Sequence, residues 1–291
     1  MKAAPFAYHR ADSVKDVVEL LTEYGDDAKI LAGGQSLVPM LAMRLTHFEH
    51  LVDISRVAEL QGIDLVDGDV VVAAGTPHAL VGMDDEVAES VPLLTAVTPH
   101  IGHFQIRTRG TLGGAVAHAD PAAEYAAAAL ALDATIEATS ARGDREIPAA
   151  EFFTGLWENA LAPDEILRAV RFPVWSGRCG FAVHEFARRH GDFAIAGATV
   201  GVQLDDDDVV TRCGIGLLGL GSTPERGSAA ERAITGRPVS DVTAEEIGAL
   251  AMSELTDVPS DLQGSASYRT RVGAAMVARA WTDAMREALD A

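Results

Sequence analysis

The spacing of apolar residues changes along this chain and predicts three successive units. Near the start, Val14, Val17, Val18 and Leu21 recur at helical spacing over residues 14–24, with Asp12 or Ser13 placed as a cap and Gly25 as a stop. A short apolar run at 28–32 predicts a buried strand. Leu37, Met40, Leu41, Met43 and Leu45 predict a helix over 36–45, and a strand at 51–54 closes a small α/β unit near residue 55. From Leu60 the texture turns to hairpins. Residues 63–66 and 70–74 flank Asp67-Gly68, a two-residue turn signal, and Thr76 can cap a short helix with Pro77 in its first turn. Residues 91–101 read as helix. The alanine-rich stretch 121–132 does too, with Asp120 as N-cap and Pro121 at the first position. A hairpin from 134–138 to Ile147 and a strand at 166–172 end the second unit. The third carries strands at 179–188, 193–204 and 209–218, then helices at 228–235, 244–252 and 267–289. The sum is an α+β protein. Residues 1–175 form one domain with subdomains of about 1–55 and 56–175, and residues 176–291 form a second, an antiparallel sheet with helices.

Two loops in the first domain share a construction. Ala32-Gly33-Gly34-Gln35-Ser36 joins a strand to a helix, and Arg109-Gly110-Thr111-Leu112-Gly113-Gly114-Ala115 again sets a hydroxyl residue beside paired glycines. Glycine tolerates φ > 0, so successive N–H groups can face one concavity, and no side chain blocks a ligand from the backbone. The alternative for the first loop is a tight strand-to-helix turn capped by Ser36. Two such loops suit the two phosphates of one pyrophosphate.

Composition narrows the reading. A hydrophobic fraction of 48% over 291 residues fits a globular chain with room for two or three cores. No run of about 20 apolar residues exists, which predicts no transmembrane span, and residues 1–6 lack the apolar core of a signal peptide. The expectation is a cytoplasmic protein. A net charge of -20 argues against nucleic acid as a partner. Lysine occurs only at Lys2, Lys15 and Lys29, and this acidic, lysine-poor surface predicts a protein of a salt-rich cytosol. On so negative a chain, a phosphate ligand needs local N–H groups. Cys179 and Cys213 are the only cysteines, too few for an iron–sulfur cluster or structural zinc. His47 with His50 and His100 with His103 lack a third ligand, and the Asp205–Asp208 run lacks a calcium-loop pattern, so it reads as a solvated turn.

The ordered set of motifs resembles a known family. Ala32-Gly33-Gly34-Gln35-Ser36, Thr111-Leu112-Gly113-Gly114, His118-Ala119-Asp120-Pro121, Arg189-His190-Gly191-Asp192-Phe193 and Ser267-Tyr268-Arg269 stand in the order found in the FAD-binding medium subunit of molybdenum hydroxylases. These are enzymes of the aerobic carbon monoxide dehydrogenase and xanthine dehydrogenase type. The resemblance implies a two-subdomain FAD-binding domain, of a fold shared with vanillyl-alcohol oxidase-type flavoproteins, and the family's C-terminal domain. It implies that Ala32, Gly33, Gly34, Gln35, Ser36, Thr111, Leu112, Gly113, Gly114 and Ala115 line the pyrophosphate, mainly through N–H groups, with hydroxyls from Ser36 and Thr111. It puts Phe193 beside the isoalloxazine, where some members carry a tyrosine. Asp120 becomes a ribityl or flavin-edge contact or a plain helix cap, and His118 approaches the flavin or packs on the loop. Ala115 and Thr108 depart from the polar residues the pattern has there.

The implied activity is electron transfer, an oxidoreductase function. A molybdopterin large subunit oxidises substrate, an iron–sulfur small subunit relays electrons to FAD, and an acceptor such as NAD, a quinone or oxygen removes them. The alternatives are a stand-alone flavin oxidase of related fold and a scaffold that has lost FAD.

Overall fold

The computed structural model describes residues 2–291. Strand β1 (Ala7–Arg10), helix α1 (Val14–Tyr24), strand β2 (Ala28–Leu31), helix α2 (Leu37–Met43) and strand β3 (His50–Asp53) make the first unit. Its parallel sheet runs β1-β3-β2. Of the two cap candidates, Ser13 is the cap: its Oγ accepts from the Asp16 N–H at 3.1 Å while Asp16 accepts from the Ser13 N–H at 3.0 Å. Strand β1 was not predicted, because AYHR shows no apolar alternation and its side chains are mostly exposed. His50 lies in β3, stacked on Tyr24 and 2.9 Å from His9. Helix α2 is shorter than 36–45, since Arg44 turns left-handed at φ 58° and ends it.

The second unit holds β4 (Ile63–Val66), β5 (Asp69–Ala73), α3 (His78–Val81), α4 (Asp85–Ser90), α5 (Pro92–Val97), α6 (Phe104–Arg107), α7 (Leu112–His118) and α8 (Glu124–Ala131). It continues through β6 (Thr135–Ser140), β7 (Gly143–Pro148), α9 (Ala149–Phe152), β8 (Phe153–Gly155), β9 (Glu158–Asn159) and β10 (Ile166–Pro173). An antiparallel sheet of order β4-β5-β10-β6-β7 is its floor. Three expectations change here. Thr76 caps nothing: its hydroxyl exchanges hydrogen bonds with Gly62, and Pro77 stands at the N-cap of α3. The 91–101 helix breaks after Val97 into a tight 3-10 turn, Thr98–His100, where Pro99 has no N–H to continue it. Helix α8 starts at Glu124, because left-handed Ala119 and the Asp120 side chain, which accepts from the Ala122 N–H at 2.9 Å, form a separate turn first.

The C-terminal region carries β11 (Arg178–Phe186), β12 (Ala196–Leu204), β13 (Val210–Leu218) and β14 (Glu225–Arg226), an antiparallel sheet in that order. Helices α10 (Ser228–Ile234), α11 (Ala244–Met252) and α12 (Ala266–Asp290) follow. The sheet packs on both sides. Added Cβ atoms at Gly214 and Gly216 of β13 would lie 1.8 Å and 2.0 Å from the Ala131 and Ala127 carbonyl oxygens, so α8 sits almost against the strand. Its alanines are buried for this reason, between the two sheets. On the other side, a Cβ at Gly180 would fall 1.9 Å from the Ala284 carbonyl of α12. Arg269 is buried in α12, where it donates to the Ile195 carbonyl, to that of Gly219 at 3.1 Å, and to both Asp261 carboxylate oxygens. The Asp205–Asp208 run is a turn whose Asp205 carboxylate accepts two N–H groups. Both cysteines are free thiols. Among the described residues no helix is long and apolar enough to cross a membrane.

Candidate functional site

The two glycine loops meet. A Cβ on Gly33 would stand 2.0 Å from the Arg109 carbonyl oxygen and 2.6 Å from Gly110 Cα, and one on Gly114 would reach Ala32 Cβ at 3.3 Å. A Cβ on Gly113 would fall 2.5 Å from Ala74, the residue after β5. Only Gly34 has a left-handed backbone, at φ 71°. Gly33, Gly113 and Gly114 are therefore required by close approach and not by φ > 0, which corrects the reason expected from sequence.

Their donors are unequally disposed. In the first loop, the N–H groups of Gly33, Gly34, Gln35, Ser36 and Leu37 find no protein acceptor among the described residues, and neither does the Ser36 hydroxyl. Gln35 folds back, its Nε2 donating to the Gly33 carbonyl at 2.9 Å. A run of free N–H groups at one turn is an anion-binding arrangement. The second loop is closed on itself. Leu112 N–H donates to Thr76, Gly113 N–H to Ala74, Gly114 N–H to the Thr111 hydroxyl and Ala115 N–H to the Thr111 carbonyl. Leu112 is core, Ala115 packs against that core, and Thr108 turns its hydroxyl onto Gln105 in its own turn. The second loop thus supplies a wall, fixed to the segment that follows β5 and to His78, whose N–H donates to the Gly110 carbonyl at 2.9 Å. His78 is 4% exposed, stacks on Tyr125 and has no partner for Nδ1 among the described residues. Burial holds its pKa down at about 4, with Arg107 adding to the effect.

From this wall α7 leads to His118 and Asp120. The His118 ring lies parallel to Trp157, 6.2 Å away, and burial lowers its pKa. Trp157 donates from Nε1 to Asp120 at 3.1 Å, and Asn159 donates to the Ala117 carbonyl at 2.7 Å. The β8–β9 hairpin therefore braces the end of α7. Its strands are too short to show in the sequence, and the only signal is the Leu156-Trp157 pair, apolar and exposed. Phe193 is 63% exposed. Its loop rests on the chain leading into α6: a Cβ at Gly191 would touch the Gly102 carbonyl at 2.8 Å and His103. At the first position of α8 stands Glu124, for which the sequence predicts no role; burial, with the charges of Glu185 and Asp120 adding to it, raises its pKa to about 8. A lone carboxylate inside an alanine run was the available signal.

An open N–H turn held against a glycine wall, with aromatic rings beyond, defines a nucleotide-cofactor site of the flavoprotein class. The residues present fit a pyrophosphate: donors are free, and the adjoining backbone carries no side chain in the way. Comparison with known proteins gives the family. Residues 4–175 match the FAD binding domain in molybdopterin dehydrogenase, and residues 181–284 match the CO dehydrogenase flavoprotein C-terminal domain. The chain is 40% identical to the 6-hydroxypseudooxynicotine dehydrogenase complex subunit alpha of Paenarthrobacter nicotinovorans, over 99% of this chain and 97% of that one. It is 37% identical to the carbon monoxide dehydrogenase medium chain of Afipia carboxidovorans, over 94% and 95%. Its structure superposes on the carbon monoxide dehydrogenase of Hydrogenophaga pseudoflava lacking the Mo-pyranopterin moiety, with a TM-score of 0.95, 34% identity and 99% coverage of both chains. The chain belongs to the FAD-binding subunit family of the molybdenum hydroxylases. It is an oxidoreductase subunit with FAD as cofactor.

Proposed function

We propose that the FAD pyrophosphate is held by the free N–H groups of Gly33, Gly34, Gln35, Ser36 and Leu37, with hydroxyl donors from Ser36 and Thr111. That run of unpaired donors is the observation that carries the assignment. Ala32, Leu112, Gly113, Gly114 and Ala115 shape the wall behind it, and His118, Asp120 and Phe193 border the flavin end, with Trp157 bracing the first two. Residues 1–175 act as the cofactor domain and 176–291 as the C-terminal domain that closes on it. The bound FAD supplies exchange between one-electron and two-electron carriers. The chain's own residues hold and orient it and exclude water from its buried side.

The partners are an iron–sulfur small subunit and a molybdopterin large subunit, with NAD, a quinone or oxygen as final acceptor. Two cysteines, one fully enclosed in the C-terminal core, cannot ligate a cluster here, which supports a relay on another chain. The complex works in the cytoplasm, at high salt. The test is purification of the native assembly: the chain is expected to arrive with a Cys-rich small chain, a large chain, iron and molybdenum. A native protein that runs alone, free of both metals, and turns over a substrate with oxygen would support the stand-alone oxidase in its place.

A further inference from the structure

Away from the glycine loops, a groove runs along α12 beside the end of β11, and its charge is opposite to that of the chain as a whole. It holds a cavity of about 320 Å³. Val272 and Met276, which belong to the C-terminal core, lie at its base. Phe186 and Tyr268 close one end, their rings edge-on at 6.4 Å, and Phe186 is 39% exposed. The charged residues that line it are Arg271 and Arg279, with no carboxylate among them. Two other arginines of the same helix are paired, Arg269 with Asp261 and Arg286 with Asp283. Arg271 and Arg279 make no salt bridge or hydrogen bond among the described residues. A smaller cavity of about 220 Å³ adjoins at Arg279 and is lined by Glu245 and Asp283, but Asp283 is already engaged by His184 at 2.7 Å and by Arg286 at 3.0 Å. On a chain of net charge -20, this groove is a place where a carboxylate is attracted and not repelled.

Resting on the reading of this chain as one subunit of an assembly, we propose that the groove seats an acidic, apolar segment of another subunit. That segment carries two carboxylates four residues apart, with an apolar side chain midway between them. The spacing follows from the helix. Arg271 and Arg279 stand eight residues apart on α12, about 12 Å along its axis, and exposed Ala275 lies midway on the same stripe. An extended segment advances about 3.4 Å per residue and turns every second side chain to the same face. Its residues i and i+4 therefore span about 13 Å and can meet the two guanidiniums together. Residue i+2 then falls over the small side chain of Ala275, where it reaches Val272 and Met276. The arginines select for charge, and the base and the aromatic end select for an apolar anchor. A second copy of this chain is a poorer occupant, because two surfaces of net charge -20 repel each other.

The experiment uses the native assembly, purified from cells that carry Arg271→Lys with Arg279→Lys. This variant keeps both charges and gives each position an amine. A carbodiimide then joins amine to carboxylate with no spacer: an amide N–C bond forms and the reagent leaves as its urea. Peptide mapping by mass spectrometry should find both amines joined to carboxylates four residues apart in one segment of another subunit, with an apolar residue midway. Wild type, whose guanidiniums do not react, should give neither link. Arg271→Glu with Arg279→Glu should load FAD to the wild-type level, read from its absorption spectrum, while its dissociation constant for the other subunits rises by at least about tenfold. Links confined to this chain, as to Glu245 or Asp283, links to a second copy of it, or no links at all overturn the proposal. So does a charge-reversed chain that assembles with wild-type affinity. If one variant fails to load FAD, the other decides. A wild-type chain that purifies alone refutes the assembly reading, and this proposal with it, before any crosslinking is done.

Discussion

Adding one methyl group at Gly33 tests whether the two glycine loops act as a unit. In Gly33→Ala the new Cβ would lie 2.0 Å from the Arg109 carbonyl oxygen and 2.6 Å from Gly110 Cα. Both neighbours are backbone, so neither can swing aside. A carbon–oxygen contact relaxes only beyond about 3.3 Å, so the loops must part by roughly 1.3 Å. Overpacking of this kind costs about 1–3 kcal/mol. The free protein can relieve it by letting the first loop drift, but the FAD-bound protein cannot, because the N–H groups must then be in register with the wall. The cost therefore falls on binding and predicts FAD affinity weaker by about 5-fold to 150-fold. Titration of the apoprotein with FAD, followed by flavin fluorescence, measures it. Gly177→Ala is the control: its φ of 84° strains any side chain, yet nothing lies within 4 Å and it is remote from the loops, so its FAD affinity should equal wild type. Wild-type affinity in Gly33→Ala would refute the claim that contact between the loops builds the site.

Three further outcomes follow from the same structure. Arg269→Met should destabilise the fold by on the order of 2–3 kcal/mol in urea titrations, since it strips donors from the Ile195 and Gly219 carbonyls and leaves Asp261 partly exposed to compensate; an unchanged midpoint would contradict the clamp. His78 has its pKa lowered from 6.5 to about 4, so its contribution is complete above pH 6.5 and lost as pH falls through 4. The full effect is about 3 kcal/mol, and His78→Gln should show that much less loss between pH 7 and pH 4 than wild type. With 43 acidic against 23 basic residues, the melting temperature should climb from dilute buffer to molar potassium chloride as repulsion is screened, and a flat profile would refute the salt-adapted reading.

What could be read from the sequence was local. The first helix with its cap, the Asp67-Gly68 hairpin and the long strands of the C-terminal sheet all carry their signals within a few residues. Both glycine loops were visible because each sits where one period of apolar residues gives way to another. Their mutual contact was not, because Gly33 faces Arg109 only after the chain has gone round β3, β4, β5 and α3. The same limit explains the misassigned reason for the glycines: a demand for φ > 0 and a demand for close packing leave the same letter in the sequence. Which N–H groups stay free is also tertiary information, since Ala74 and Thr76, in the segment after β5, satisfy the second loop. Boundaries slipped where a single residue turned left-handed, as Arg44 does after α2 and Ala119 before α8. Glu124 carries no signal of its burial in the sequence because a glutamate reads as surface until the fold packs around it.

The claim on which the rest depends is that the free N–H groups of the first loop grip the cofactor's phosphates, and a crystal structure of the FAD-loaded chain measures it directly. The pyrophosphate oxygens should lie within about 3 Å of the Gly33–Leu37 amide nitrogens, against an Arg109–Gly114 wall that has not moved. A pyrophosphate seated elsewhere, with those N–H groups still facing water, would contradict it.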